Sequence, residues 1–279
     1  AFISIVYFAT EPSMIKPSAL IITGYGINCE EETAYGFQTA GAKTKIVHIN
    51  DLIDGLDSLE KYEIIAFPGG FAYGDDTGAG KAFANRVKNH LMEKVQKCLE
   101  RDRLIIGICN GFQVISNIGL VPAFEKKYSE QKVALTRNAQ ARYNCRWTDL
   151  KVENNSPWLK NIKTLSLPIG HGEGNFYTDK KTLAQLKKNK QIALRYVRGE
   201  VTKYLDLPAN PNGSLDNIAG ITDETGRVLG LMPHPDRALF FTERPDWPFL
   251  KEKYKREGKK LPNEGPGMQI FKHAIRYFQ

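Results

Sequence analysis

The chain has 279 residues, 42% hydrophobic and 25% charged, a balance suited to one large core or to a core carrying a sizeable insertion. No apolar run approaches the roughly 18 residues of a membrane span, and four cysteines without a C-x-x-C pair argue against a zinc site or a disulfide framework, so reduced cytoplasmic thiols and no bound metal are expected. The net charge of +8 gathers in residues 180–190 and 251–260, which read as solvated faces; with no interleaved aromatics, neither nucleic acid nor membrane is an expected partner.

Residues 1–10 (A-F-I-S-I-V-Y-F-A-T) are apolar but short and follow no basic residue. Residues 1–14 are therefore expected to be an extension ahead of a start at Met14, a cloning remnant or upstream read-through rather than a signal segment. Residues 18–23 read as a first strand, 24–28 as a turn, and 30–40 as a helix with Glu30, Glu31 and Glu32 placed to complement its dipole. A second strand is predicted at 43–49, a loop or short helix at 51–61, and a third strand at 63–67 closed by Pro68-Gly69-Gly70. One long helix follows at 83–99, then an apolar strand from Leu104 that stops at Cys109, then a helix at 112–118.

From about Val121 the pattern changes. Alternating stretches within 133–153 suggest antiparallel strands, and a strand at 164–168 leads into a glycine-rich loop. A short basic helix at 179–189, a strand at 192–197 and a hairpin over 217–232 come next. The tail is a loop rich in Pro, Lys and Gly, then a closing helix at 269–278. The expected fold is α/β, a central mostly parallel sheet flanked by helices with additional antiparallel strands. The loops after the parallel strands should share one rim. With no clean linker, residues 15–279 are expected to form a single domain, with an insertion near 121–166 and a C-terminal extension at 240–279.

The organising stretch is Gly107-Ile108-Cys109-Asn110-Gly111, a G-x-C-x-G at a strand-to-helix turn. A nucleophile on such an elbow faces the helix N-terminus, where the dipole favours thiolate over thiol. A buried structural cysteine is the alternative for this motif alone. Cysteine chemistry also needs a base, a group to orient it and an oxyanion hole. His48, His90 and His273 fall inside predicted elements and read as structural, whereas His171 stands in a glycine-rich loop and could contact a ligand. His234 follows a strand between two prolines, and Asp236 at i+2 can reach its second nitrogen, so this pair is the candidate base and orienter. The backbone N–H groups at Gly70 and Asn110 are the candidate oxyanion donors. Gly78-Ala79-Gly80-Lys81-Ala82 is not a phosphate loop, since the glycine spacing is wrong and Ala82 lacks a magnesium-binding hydroxyl.

Taken in order, N-C-E-x-x-T from Asn28, P-G-G-F-A-Y-G-D from Pro68, G-I-C-N-G-F-Q from Gly107, H-G-E-G from His171, N-P-N-G-S from Asn210 and G-L-M-P-H-P from Gly230 resemble the class I (triad-type) glutamine amidotransferases. Within that class they resemble the glutaminase subunits of phosphoribosylformylglycinamidine synthase, which act in purine biosynthesis. The resemblance implies a flavodoxin-like class I glutaminase fold. It implies that Cys109 attacks the side-chain amide of L-glutamine and forms a glutamyl thioester, with His234 moving the protons and Asp236 orienting His234. Gln113 matches the class position that helps hold glutamine, and His171, Gly172 and Glu173 would frame its amino and carboxylate end; Gly69 and Phe71 join the candidate substrate contacts. The implied partners are a synthetase subunit, which uses ATP and Mg, and a small third subunit; no cofactor is expected in this chain itself. The family usually carries His-Pro-Glu, so Asp236 is one methylene short: either the turn sits closer to the base, or another carboxylate such as Glu173 assists. The competing readings are a glutaminase of another pathway, a non-catalytic binding module on the same fold, and a cysteine hydrolase of the protease or chaperone type, which would not call for H-G-E-G or N-P-N-G-S.

Overall fold

The computed structural model describes residues 16–279; the expectation for residues 1–14 lies outside them. Five parallel strands form one half of a nine-stranded sheet: β1 (Ser18–Thr23), β2 (Lys43–His48), β3 (Ile64–Phe67), β4 (Leu104–Ile108) and, from far downstream, β11 (Val228–Leu231). The other half is antiparallel and uses β6 (Asn144–Val152), β7 (Thr164–His171), β9 (Ile192–Val197) and β10 (Ile218–Thr222), giving the order β2-β1-β3-β4-β11-β10-β9-β6-β7. A two-stranded ribbon pairs β5 (Ala134–Thr136) with β8 (Asn175–Tyr177).

β3 and β4 (I-I-A-F and L-I-I-G-I) are buried at every position, which is why they read as unbroken apolar runs: helices cover both faces of the parallel half. The flanking helices there are α1 (Glu30–Ala40), α2 (Ile49–Ile53), α3 (Lys81–His90), α4 (Met92–Glu100) and α5 (Asn110–Asn117). Beyond them lie α6 (Lys180–Lys188), capped by Asp179, whose carboxylate accepts from the backbone N–H of Lys181 and Thr182, then α7 (Glu200–Tyr204), α8 (Trp247–Arg256) and α9 (Met268–Arg276).

Several elements differ from the sequence reading. The helix expected over 83–99 is two helices meeting at Leu91, whose φ of −123° leaves the helical region; no Gly or Pro marks the break. α8 lies in the tail read as loop; its Trp247-Pro248 start places proline in the first turn, where it interrupts no hydrogen bond. β7 runs three residues further than expected, so His171 ends a strand instead of standing in a loop. The 121–166 stretch contributes β6 to the main sheet, between β7 and β9.

The register of the parallel half sets the working rim. Phe67 lies opposite Gly107 and Ile108 opposite Leu231, so β3, β4 and β11 end together. Their following loops begin Pro68-Gly69-Gly70, Cys109 and Met232-Pro233-His234. The backbone N–H of Cys109 donates to Leu231 O at 2.8 Å, which ties the elbow directly to the strand that delivers His234.

Candidate active site

Cys109 has φ 52° and ψ −108°, a strained conformation that turns the chain from β4 into α5. Its carbonyl accepts from the N–H groups of Phe112 and Gln113 at 3.0 and 3.1 Å, which anchors the first turn of α5. The flanking glycines answer to close approach: a Cβ on Gly111 would lie 1.8 Å from Phe67 O, and one on Gly107 would lie 2.6 Å from Gly111 O. Only bare Cα atoms let strand, elbow and helix meet. The thiol is almost covered, 4% exposed, and donates to Gly170 O at 3.7 Å.

His234 is held at both main chain and ring. Its N–H donates to Pro168 O at 2.8 Å, and its Nδ1 lies 3.2 Å from Asp236 Oδ1 and 3.4 Å from Oδ2. Nε2 is buried with no partner among the described residues and is the nitrogen left for the thiol. Burial alone would make this imidazole less basic, but the neighbouring Asp236 and Cys109 outweigh it and raise its pKa well above the ordinary value. The shorter carboxylate therefore reaches the base unaided. Glu173, the alternative orienter, is engaged elsewhere: its Oε2 accepts from Ala79 N at 3.1 Å and its Oε1 lies 3.9 Å from Arg137 Nε.

Gly70 and Asn110 bracket the elbow. Among the described residues neither backbone N–H has a hydrogen-bond acceptor; Asn110 is the first residue of α5, where no intrahelical acceptor exists. Gly69 O accepts from Asn28 N and Cys29 N, and Phe71 N donates to Gly26 O, so the Pro68-Gly69-Gly70 turn is fixed against the loop after β1. Two free donors beside a nucleophile are what a tetrahedral oxyanion requires.

A hydrogen-bonded ring closes the site around α5. The Gln113 amide donates to Glu173 O, and Asn110 Nδ2 donates to Gln113 Oε1 at 2.8 Å and to Asp75 Oδ1 at 3.0 Å. Asp75 Oδ1 also accepts from Gly80 N at 3.2 Å; burial raises its pKa against these donors. His171 is buried, with its Nδ1 3.1 Å from Asn138 Oδ1, and burial followed by the nearby His234 lowers its pKa to about 3, so the ring is neutral. Its Nε2 has no partner among the described residues. A Cβ on Gly172 would face open space, and Phe71, 42% exposed, has its ring 6.2 Å from that of Tyr143. The N-P-N-G-S motif pins this wall from behind: Asn212 Nδ2 and Ser214 Oγ both donate to Gly174 O, at 2.8 and 3.3 Å.

The structure thus puts the loops that carry Cys109, His234, Asp236, Gly70 and Asn110 side by side on one rim, with Gln113 and Glu173 in one adjoining network. Sequence reasoning gave no role to Asp75, Asn138, Cys29 or Arg237. Asp75 closes P-G-G-F-A-Y-G-D and Arg237 directly follows the orienting carboxylate, so motif position was the available signal for those two. Nothing local marked Asn138. His48, His90 and His273 stand apart: His48 Nδ1 accepts from Asn50 N, His273 Nδ1 lies 3.3 Å from Trp158 O, and His90 ends α3.

Residues 16–278 match the CobB/CobQ-like glutamine amidotransferase domain. The chain is 50% identical over 271 residues to the phosphoribosylformylglycinamidine synthase subunit PurQ of Methanococcus maripaludis, covering 95% of this chain and 99% of that one. It is 41% identical to the PurQ subunit of Dehalococcoides mccartyi, covering 95% and 98%. Its fold matches a chain in the structure of PurLQS from Thermotoga maritima with a TM-score of 0.69 at 29% identity, covering 95% of this chain and all of that one. A cysteine elbow, a histidine–aspartate pair and a near end-to-end match together show that the chain belongs to the glutamine amidotransferase family.

Proposed function

We infer that this chain is the glutaminase subunit of a phosphoribosylformylglycinamidine synthase, acting in purine biosynthesis. The observation that carries the reading is the 50% identity to a PurQ subunit over nearly the full length of both chains. The reaction follows from the residues at the rim. Cys109 Sγ attacks the carboxamide carbon of L-glutamine while the N–H groups of Gly70 and Asn110 receive the developing oxyanion. His234, oriented by Asp236, protonates the departing ammonia and leaves a γ-glutamyl thioester on Cys109. Water, deprotonated by the same imidazole, then releases glutamate and frees the thiol. Gly69, Phe71, Gln113, His171, Gly172 and Glu173 hold the substrate at its amino-acid end.

The ammonia passes to a synthetase partner, which uses ATP and Mg to convert formylglycinamide ribonucleotide to formylglycinamidine ribonucleotide; a small third subunit completes the assembly. The PurLQS structure supports a multi-subunit assembly by likeness. No helix among the described residues is long and apolar enough to cross a membrane, and a cytoplasmic location fits the four free thiols.

Reconstitution with a synthetase tests the reading. Cys109→Ala abolishes synthesis from glutamine and leaves synthesis from added ammonium salts largely intact. A variant that still used glutamine would remove Cys109 as nucleophile, and a wild-type chain that supported no synthetase would remove the pathway.

A further inference from the structure

A second thiol lies behind the triad. Cys29, the residue immediately before α1, is fully buried, and its Sγ, a ring nitrogen of His234 and a carboxylate oxygen of Asp236 all lie within 4.8 Å of one another. Gly69 permits the crowding: a Cβ there would lie 2.6 Å from His234 Cε1, 3.1 Å from Cys29 Sγ and 3.5 Å from His234 Nδ1. The sulfur therefore lies close to the imidazole, whose Nδ1 edge Asp236 occupies. The glutaminase chemistry leaves Cys29 unused.

We propose that Cys29 Sγ, His234 Nδ1 and the Asp236 carboxylate form a three-donor site for a thiophilic divalent cation such as Zn²⁺, and that its occupation arrests the glutaminase. One thiolate, one imidazole and one carboxylate are donors that zinc accepts, at about 2.0–2.3 Å each, with water in the fourth position. Arms of that length set tetrahedral donor–donor edges of roughly 3.3–3.8 Å, and the Nδ1–Oδ1 separation is already 3.2 Å. Only the sulfur has to close in. The ionised donors carry two negative charges, which the cation balances.

The proton balance explains the arrest. Binding releases two protons to solvent, one from the Cys29 thiol and one from Nδ1 of the His234 imidazolium. A neutral imidazole metallated at Nδ1 keeps its one proton on Nε2, so Nε2 can no longer accept a proton from Cys109 or from water. Asp236 at the same time exchanges its role as orienter for that of a ligand. Arg237 opposes the cation: its Nη2 donates to Cys29 Sγ at 2.9 Å, and the guanidinium has to withdraw before the ion enters. The arrangement is a weak, reversible inhibitory site and not a structural zinc centre.

Cobalt titration of the full-length C109A chain tests binding apart from glutaminase activity, since that variant has no nucleophile. The expected result is a thiolate-to-cobalt charge-transfer absorption saturating at one equivalent. It should vanish in C29S/C109A and persist in C145S/C109A, where the exposed Cys145 is removed. Should C29S/C109A not fold, H234A/C109A keeps every other thiol and should also lose the band. With the reconstituted enzyme, Zn²⁺ should inhibit glutamine use and a chelator should restore it. Relative to its own metal-free rate, C29S should need at least tenfold more Zn²⁺, and Arg237→Met should need less. A band that survives loss of Cys29 or His234, or equal zinc sensitivity of C29S and wild type, would overturn the site and put the cation on other thiols. Neither outcome would touch the assignment of Cys109 as nucleophile.

Discussion

Asp236 reaches His234 with a side chain one methylene shorter than the glutamate usual in the resembling family: the tight turn that follows His234 returns its carboxylate to within 3.2 Å of Nδ1. Its negative charge raises the imidazole pKa against the burial, so removing it must lower that pKa. Asp236→Asn should cut kcat/KM by about 10²–10⁴, the range for losing a base's orienting carboxylate. In the proposed reaction protonated His234 serves the departing ammonia, so the alkaline limb of the pH profile should also move to lower pH; a profile of unchanged position would show that Asp236 acts without tuning the base. His171 carries the opposite shift. Folded, it is held at about 3, against 6.5 ordinarily. Between those values the unfolded chain binds a proton that the folded chain refuses, so stability is lost as pH falls from about 6.5 toward 3. His171→Asn retains an amide donor toward Asn138 and removes the titration. Its urea-derived stability should fall less steeply in acid, by up to ~1.4 kcal/mol per pH unit.

At the scale of the element, β4, the elbow and α5 depend on two backbone approaches that leave no room for a side chain. Gly111→Ala would drive a Cβ into Phe67 O and C, at 1.8 and 2.5 Å, and both atoms belong to the fully buried β3. Neither strand nor helix can yield without breaking the sheet, so a loss of about 3 kcal/mol or more is expected, read from the urea midpoint. Gly172→Ala is the matched control: its Cβ would meet nothing within 4 Å. It should keep stability within about 0.5 kcal/mol while raising KM for glutamine, since in the proposed glutamine site the added methyl enters open space beside the substrate. The elbow was legible in sequence because all its requirements fall within five residues. The break at Leu91 was not, because it has no proline or glycine to announce it.

Across the whole molecule, most of the parallel half was legible because β1, β3 and β4 are continuous apolar runs each followed by a turn and a helix, a local signal. The strands of the antiparallel half were legible too, from their alternation and from the turn of the 217–232 hairpin, but their order was not, since placing β6 between β7 and β9 depends on pairings between distant residues. The contact of Cys29 with Arg237 spans 208 positions, and no spacing rule reaches that far. The tail, expected as an extension ending in a helix at 269–278, packs that helix into the core. α9 buries Met268, Ile270, Phe271, Ala274 and Ile275, and Phe271 meets Phe37 of α1 edge to face with ring centroids 4.8 Å apart. Gly36 clears the space beneath: a Cβ there would stand 2.8 Å from Phe271 Cζ. The start of α9 also backs the catalytic turn, with Gly267 so close to Pro235 O that a Cβ would overlap it at 2.0 Å. Phe271→Ala should therefore cost about 3–5 kcal/mol through the cavity and the lost aromatic pair. Below its lowered melting temperature the variant should retain glutaminase activity, because the substitution leaves Gly267 and the turn in place. If instead its stability were unchanged, α9 would be an appendage and not part of the core that holds β11, His234 and the elbow to one rim.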